Sequence, residues 1–410
     1  MKKAVGLWGL AGVALSFAPA QAADLPMMKA EPVEYVKVCS EFGAGFYYIP
    51  GSDTCLSING YVRADYWYFE PNSRAEDGFR FYTRGRVNFD ARTSTEWGTL
   101  RSFLSLQYDH GDPGTLNTMK ADKAFIQFGG WTAGYATSFY NFYDAEAGNT
   151  LHGTYYSSSA TTHLLAYTAT FGSGFAATLS IEDNYYRRSG LFDIFNYTNV
   201  ATASPADPFY AYGGQRWPDI VASLRLTQGW GSAQIMAAAH QNRSIVEWPQ
   251  IVNTYPTDDK WGWAVGAGVI LNLPSGFFFA LEGNYARGAA SYAGLGDGPW
   301  YNDVIDASLP LDAQKQGDLQ LSRVWSVTGD LGYNFTPSLV GHIVVSYADY
   351  DGGTRAFVGP PYNYIGDLPG LNDFDALAVN ANLTYTVTKG LTVSGEVSYE
   401  QRDYDQRVAD

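Results

Sequence analysis

The chain has 410 residues, of which 16% are aromatic and 16% charged, and its formal net charge is -15 at pH 7. Soluble domains carry about 25% charged residues, so this chain is poor in charge, and its acidic balance excludes the basic surface that nucleic acids require. Tyr, Phe and Gly are abundant (31, 23 and 44 residues), whereas apolar stripes with a helical period are hard to find. The composition predicts an all-β chain that binds no nucleic acid.

The N-terminus has the pattern of a secretory signal peptide. Lys2 and Lys3 precede the apolar run AVGLWGLAGVALSF, and the small-residue stretch APAQA follows it. A positive start, a short apolar run and a small-residue site are the features of a cleaved export signal, and the run is too short for a comfortable membrane anchor. We predict a signal peptide over 1–22, cleaved after Ala22.

The chain has two cysteines, Cys39 and Cys55, in an N-terminal segment that we delimit as 23–55. The oxidising compartment that a signal peptide implies favours a disulfide between them. Two free thiols or half of a metal site stay open from the residues alone, although no third cysteine and no nearby histidine would complete such a site. We predict no metal and no cofactor.

Segments of about ten residues with alternating polarity recur from residue 56 almost to the end. In LTVSGEVSYE (391–400) the even positions are all polar, and four of the five odd positions are apolar. A period of two indicates β-strands with one apolar and one hydrophilic face. Ten residues is the length that a tilted strand needs to cross a membrane.

The connections between these segments alternate between short and long. Short turns such as EWGT, FGSGF and LPSGF carry the Gly, Pro and Ser of tight turns. Long polar loops cover 184–216, 243–259, 287–321 and 350–373. This alternation, with aromatic residues clustered at strand ends, is typical of an antiparallel transmembrane β-barrel, which we place over 56–410. A soluble β-sandwich would share the alternating polarity but not the loop pattern.

The segment FRFYTRGRVNFDARTST (79–95) shows which face of the sheet meets the lumen. Arginine recurs on even positions, at Arg80, Arg84, Arg86 and Arg92. An arginine on the lipid face at mid-depth would cost about 2–4 kcal/mol, so these side chains are expected to point inward. Arg63, in the preceding strand, has the same inward parity. The sequence predicts a positive ladder along one wall of a water-filled channel.

The segment 139–162, FYNFYDAEAGNTLHGTYYSSSATT, holds Asp144 and Glu146 among aromatic residues. A loop folded into the lumen would set these carboxylates opposite the arginines and create a charged filter. On an outer loop the same carboxylates would only be solvated. The residues alone leave both arrangements open.

Two stretches resemble a known family: PVEYVKVCSEFGAGFYYIPGSDTCLSINGYVRADY and ADKAFIQFGGWTAGYATSFYNFY. They look like the outer-membrane porins of alphaproteobacteria, the type found in rhizobia and Brucella, and the resemblance covers most of the chain after residue 22. It implies a sixteen-stranded barrel in the outer membrane, a homotrimer in contact with lipid and lipopolysaccharide, and passive diffusion of small hydrophilic solutes and ions. It also implies that 139–162 folds inward to constrict the pore, and that Cys39 and Cys55 are bridged.

One feature departs from that family. We count about fifteen strands, whereas single-chain bacterial barrels have even numbers, and the chain ends in YEQRDYDQRVAD rather than in a strand with a terminal aromatic residue. We expect the last strand to be missing, which would leave the first and last strands unpaired. A stretch near 33–48 that fills the gap, or an uncounted strand within 287–321, would also explain the count.

Other functions fit parts of the pattern. The five histidines lack the sequence context of a hydrolase, so we predict no enzyme. A secreted adhesin would use the acidic loops as a binding surface, and the same loops could hold divalent cations. The closest alternatives are a channel selective for sugars or anions, with the aromatic residues at 139–143 as a sugar track, and a truncated, non-functional porin. The sequence does not define the selectivity.

Overall fold

The structure is a computed structural model. It describes residues 37–71, 74, 77–111, 118–144, 148–193, 212–244, 259–296, 304–309, 319–352 and 373–404, together with the strand Gly12–Leu15. Within these ranges, no helix has the length and apolarity that crossing a membrane would require. The regular structure there is β-strand with a few short 3-10 turns.

Fifteen long strands follow one another along the described chain. Their bounds are β1 Cys55–Tyr68, β2 Phe79–Thr95, β3 Gly98–His110, β4 Thr118–Phe128, β5 Trp131–Thr137, β6 Thr161–Gly172, β7 Phe175–Glu182, β8 Asp219–Gln228, β9 Gly231–Asn242, β10 Lys260–Asn272, β11 Phe277–Arg287, β12 Arg323–Thr336, β13 Leu339–Asp351, β14 Phe374–Thr388 and β15 Leu391–Tyr404. The fifteen segments predicted from alternation are these fifteen strands. Turns of a few residues alternate with long loops around the whole sheet, as predicted.

Consecutive long strands pair antiparallel to form one sheet. Among the described residues, β1 and β15 do not pair with each other. Gly12–Leu15 lies between them, antiparallel to the start of β15 and paired through Leu15 with Val62 of β1. Tyr47–Tyr48, from the stretch near 33–48, pairs with the first two residues of β1 and not with β15. The sheet around the lumen therefore has sixteen strands when Gly12–Leu15 is included.

Side chains alternate between a polar inner face and an apolar outer face. On β12, Ser326, Thr328 and Asp330 are buried, whereas Trp325 and Leu331 on the opposite face are exposed. Exposed apolar and aromatic residues recur on the outer face of the other strands, because that face has no protein to pack against. This is the arrangement of a transmembrane barrel, whose outer face meets lipid.

A small second sheet lies in the long loops. Leu191–Asp193 pairs in parallel with Ala307–Leu309, which pairs antiparallel with Gln320–Leu321. The two short strands within 287–321 therefore belong to a loop sheet and not to the barrel. The suggestion that an uncounted barrel strand lies there is wrong, because β11 and β12, on either side of this segment, pair directly with each other.

The disulfide joins Cys39 to Cys55 at the start of β1. Both cysteines are fully buried, and Phe42, Phe46 and Tyr48 pack around them. The bridge ties a short N-terminal hairpin to the short-turn end of the barrel. The open alternatives of free thiols and of half a metal site are both excluded.

Removing this bridge is expected to loosen the hairpin and to leave the barrel folded. The two cysteines are 16 residues apart, and closing a loop of that length is worth about 3 kcal/mol. We expect the double change Cys39→Ser and Cys55→Ser to make residues 37–54 protease-sensitive. Proteolysis followed by mass spectrometry measures this, and cleavage within β2–β15 would contradict the expectation.

Candidate functional site

The arginines of β1 and β2 lie on the inner face, and four of them are paired with an aspartate of the same wall. Arg63 contacts Asp65 at 2.8 Å, Arg84 contacts Asp109 at 2.8 Å, Arg86 contacts Asp122 at 2.9 Å, and Arg92 contacts Asp90 at 2.7 Å. We call the inner face of β1–β4 the arginine wall. The positive ladder predicted from the sequence is thus interleaved with carboxylates.

Two further cations on this wall were not predicted from the sequence. Arg101, on β3, shares Asp90 with Arg92 and donates to both of its oxygens at 3.0 Å. Lys120, on β4, lies 3.5 Å from Asp109. Register alone decides these pairs, because they join neighbouring strands and not neighbours in sequence. Six cations of the wall, Arg63, Arg84, Arg86, Arg92, Arg101 and Lys120, lie close to its four aspartates, Asp65, Asp90, Asp109 and Asp122.

Aromatic rings support the guanidinium groups of the wall. Arg92 lies over the ring of Phe46 at 4.8 Å, and Arg101 lies over Phe103 at 5.0 Å. Arg80, near the long-loop end of β2, is exposed and lies over Phe69 at 4.7 Å. Guanidinium groups are attracted to ring faces, so these contacts and the ion pairs fix the arginine side chains along the wall.

The connection 138–160 between β5 and β6 lies inside the barrel, and we call it the inward loop. Its backbone and side chains bond to the inner faces of strands on the opposite side from the arginine wall. The partners include Glu182 of β7, Glu282 of β11, Asp330 of β12, Ser346 of β13, Asn380 of β14 and Glu396 of β15. Strands that contact one loop from so many sides must surround it.

Glu396 is the most heavily bonded of these partners. Its carboxylate accepts three consecutive backbone N–H groups, from Leu151, His152 and Gly153, at 2.8, 2.9 and 2.8 Å. Successive N–H groups that converge in this way form an anion-binding nest. The nest is occupied by a side chain of the barrel, which fixes the middle of the inward loop to β15.

The same part of the loop also reaches β1. The ring of His152 packs on Trp67 with the ring centroids 4.4 Å apart, and its Nε2 lies 3.3 Å from Asp65. Asp65 is already paired with Arg63. Residues 151–153 therefore bridge β15 and β1, the two long strands that do not pair with each other.

The sequence predicts two carboxylates on the inward loop, Asp144 and Glu146, and the structure describes only the first of them. Asp144 accepts a hydrogen bond from Ser159 at 2.7 Å and another from Tyr155, both within the loop itself. Among the described residues, no ion pair joins Asp144 to an arginine of the wall. Glu146 lies outside the described residues. The charged filter formed by these two carboxylates stays a prediction.

Three of the four aromatic residues at 139–143 are buried in one apolar cluster, and Phe139 is partly buried against it. Tyr140, Phe142 and Tyr143 are fully buried, so these three cannot form the sugar track predicted as an alternative from the sequence. Burial, followed by the nearby Asp330 carboxylate, raises the pKa of Tyr143. Its hydroxyl therefore stays protonated and donates to Asp330 at 3.0 Å.

Gly153 allows the loop to approach the barrel wall closely. A Cβ added at this position would overlap the side-chain amide of Asn380 and would also lie too close to the hydroxyl of Ser398. We expect Gly153→Ala to displace residues 151–153 at a cost of about 1–3 kcal/mol, and to increase current noise in planar bilayers. Gly395→Ala is the matched control, because its Cβ would meet no atom within 4 Å. Equal noise in both variants would contradict the expectation.

No metal centre is found within the described ranges, where no three His, Cys, Asp or Glu side chains are placed to hold an ion.

Comparisons with known proteins agree with this geometry. The family described as "Porin subfamily" matches residues 24–410. Porin Omp2b of Brucella suis is 26% identical over 409 residues, which cover 96% of this chain and 90% of that protein. Porin Omp2b of Brucella abortus (strain 2308) is 26% identical over 408 residues, covering 96% and 91%. Among solved structures, the outer membrane channel DcaP of Acinetobacter baumannii superposes with a TM-score of 0.58 at 15% identity, covering 86% of this chain and 99% of that one.

Proposed function

This chain belongs to the porin subfamily and is an outer-membrane channel for passive diffusion, and we propose that its solutes pass between the arginine wall and the inward loop. The observation that carries this path is a difference in burial. Arg63, Arg84, Arg86, Arg92 and Arg101 keep 23–28% of their side-chain surface exposed. On the opposite side Glu282, Asp330 and Glu396 are buried beneath the inward loop. Water therefore reaches the guanidinium groups of the arginine wall, whereas the inward loop covers these three carboxylates of the opposite wall.

The inward loop would set the width of this path. It begins at the end of β5 and returns to β6, and its middle is attached to β15 by Glu396 and to β1 by His152, so its backbone crosses the lumen at a fixed place. Cations outnumber the four aspartates on the arginine wall, which predicts a weak preference for anions. Because five guanidinium groups of the wall are already paired with aspartates, we favour a general diffusion pore over one that binds a single anion.

Export and assembly complete the proposal. We propose that residues 1–22 are removed during export, which fits a family match that begins at residue 24. Cleavage would remove Gly12–Leu15, and N-terminal sequencing of the exported protein tests it. We also propose a homotrimer in contact with lipid and lipopolysaccharide, as the family resemblance implies. Light scattering of the detergent-solubilised protein measures the subunit number.

The first experiment is single-channel recording of the protein in a planar bilayer. Stable ohmic steps, with a reversal potential that favours anions in a salt gradient, are the expected result. Swelling of liposomes in sugars of increasing size would then give the exclusion limit. Absence of any conductance from folded protein would contradict the proposed pore.

A further inference from the structure

A buried carboxylate in the long loops joins three separate loop segments. Asp306 is fully buried, and its Oδ1 accepts the backbone N–H of Ala290 at 2.7 Å. Its Oδ2 accepts the backbone N–H of Ser189 at 2.8 Å and the hydroxyl of Tyr212 at 3.0 Å. Ser189 and Tyr212 belong to the loop between β7 and β8, whereas Ala290 belongs, like Asp306 itself, to the loop between β11 and β12. One buried side chain therefore reinforces the contact between two loops that the small second sheet also joins.

The backbone of Asp306 adds to this junction. Its N–H donates to the carbonyl of Gly190 at 2.7 Å, and its carbonyl accepts from the N–H of Ser322 at 2.9 Å. Burial raises the pKa of the Asp306 carboxyl, and His240 and the hydrogen-bond donors oppose that rise. These hydrogen-bond donors offset the free-energy cost of removing the carboxylate from water.

Titratable groups of the neighbouring elements surround the same point. His240 of β9 lies 2.9 Å from Asp219 of β8, 3.0 Å from the Tyr212 hydroxyl and 3.8 Å from Asp306. The Tyr292 hydroxyl donates to Asp219 at 2.7 Å, and Arg188 lies over the Tyr212 ring at 5.0 Å. The loop junction is in this way bonded to the long-loop ends of β8 and β9.

The loops that Asp306 joins pack against the inward loop. We call residues 184–193, 289–296 and 304–309 the outer cap. Arg187, fully buried, donates to Asn141 at 2.8 Å and to Ser158 at 2.9 Å, both in the inward loop. A Cβ on Gly294 would lie 2.6 Å from the backbone of Tyr156, so cap and inward loop are in close backbone contact. Tyr292 and Ile305 are buried between them.

We propose that Asp306 is a positioning residue, which holds the outer cap on the inward loop and so closes the lumen beside β7–β13 to solutes. This inference rests on the proposed function, since it explains why the open path lies along the arginine wall. The cap forms a second layer of occlusion on the long-loop side. The exclusion limit therefore depends on a residue that does not line the pore.

The test is Asp306→Asn in the full protein. Asparagine keeps the shape but turns one acceptor oxygen into an NH₂ donor, which then faces the N–H of either Ala290 or Ser189. We expect amide exchange at Ser189 and Ala290 to accelerate at least about tenfold, which corresponds to about 1.4 kcal/mol. In bilayers we expect larger conductance, and in liposomes entry of sugars that the parent protein excludes.

Asp183→Asn is the matched control, because this loop carboxylate accepts only the nearby N–H of Tyr185 to cap a short turn. Unchanged exchange in Asp306→Asn would overturn the proposal, as would faster exchange with an unchanged exclusion limit. A parent protein without conductance would instead refute the proposed pore. The exchange experiment would still show whether Asp306 holds the cap, so the two failures are distinguishable.

Discussion

Glu396→Ala is expected to release the middle of the inward loop and to produce the largest change in conductance of any single substitution. The carboxylate accepts three backbone N–H groups, which would be left without an acceptor inside the protein. Each buried unsatisfied group costs about 1–3 kcal/mol, so residues 151–153 would leave their place to find water. Planar-bilayer recording should show higher mean conductance and strong fluctuation, and liposome swelling should show a raised exclusion limit.

Glu400→Gln is the control for this prediction. Glu400 lies on the same face of β15, but its partners are the hydroxyls of Thr154 and Tyr156 and the partly exposed guanidinium of Arg402 at 3.4 Å. A hydroxyl can donate to an amide oxygen or accept from an amide nitrogen, so both bonds survive the change. We expect near-normal conductance. If Glu396→Ala behaved like Glu400→Gln, the nest would not be what holds the loop.

Reversing the charge of Arg86 is expected to reduce the anion preference of the pore. Arg86 is partly exposed on the arginine wall, and the change removes one cation from this wall and adds one carboxylate. Two unit charges 4 Å apart in water interact by about 1 kcal/mol, which alters a local ion concentration about fivefold. The reversal potential of Arg86→Glu in a salt gradient should move toward zero. Adding Arg84→Glu should make the pore prefer cations.

Arg323→Glu makes the same change in net charge outside the lumen. Arg323 is at the long-loop end of β12, on the outer face, where it pairs with Asp351 at 3.2 Å. Its reversal potential should match that of the parent protein. An equal shift in both variants would mean that overall protein charge governs selectivity, and not the charge of the arginine wall.

The course of each long strand could be predicted because it depends on neighbours in sequence. Lipid tolerates almost no charge on the outer face, so a period of two is strongly imposed from β1 to β15. The same constraint indicated that Arg63, Arg84 and Arg86 face inward. It also placed Glu396 on the polar face of its strand, although nothing in the sequence distinguished it from Glu400.

The contacts between side chains on different strands could not be predicted from the sequence in this way. Arg101 shares Asp90 with Arg92 because β2 and β3 have a particular register, and Asp122 reaches Arg86 across two strand boundaries. The predicted positive ladder was therefore incomplete. Its aspartates are visible in the sequence. Which aspartate lies beside which arginine depends on the strand register, and that register is set only when the turns and the sheet form.

The sequence by itself determined the all-β class, the fifteen long strands, the alternation of turns and loops, and the direction in which the arginines point. These features follow from the environments of the two faces of a strand, because the environment on each side selects the polarity of every residue that faces it. The tertiary structure alone decided that Glu396 fills a nest of loop amides, that Asp144 turns to its own loop, and that Asp306 joins two loops. Those contacts span up to 245 residues in sequence, and no local preference encodes them.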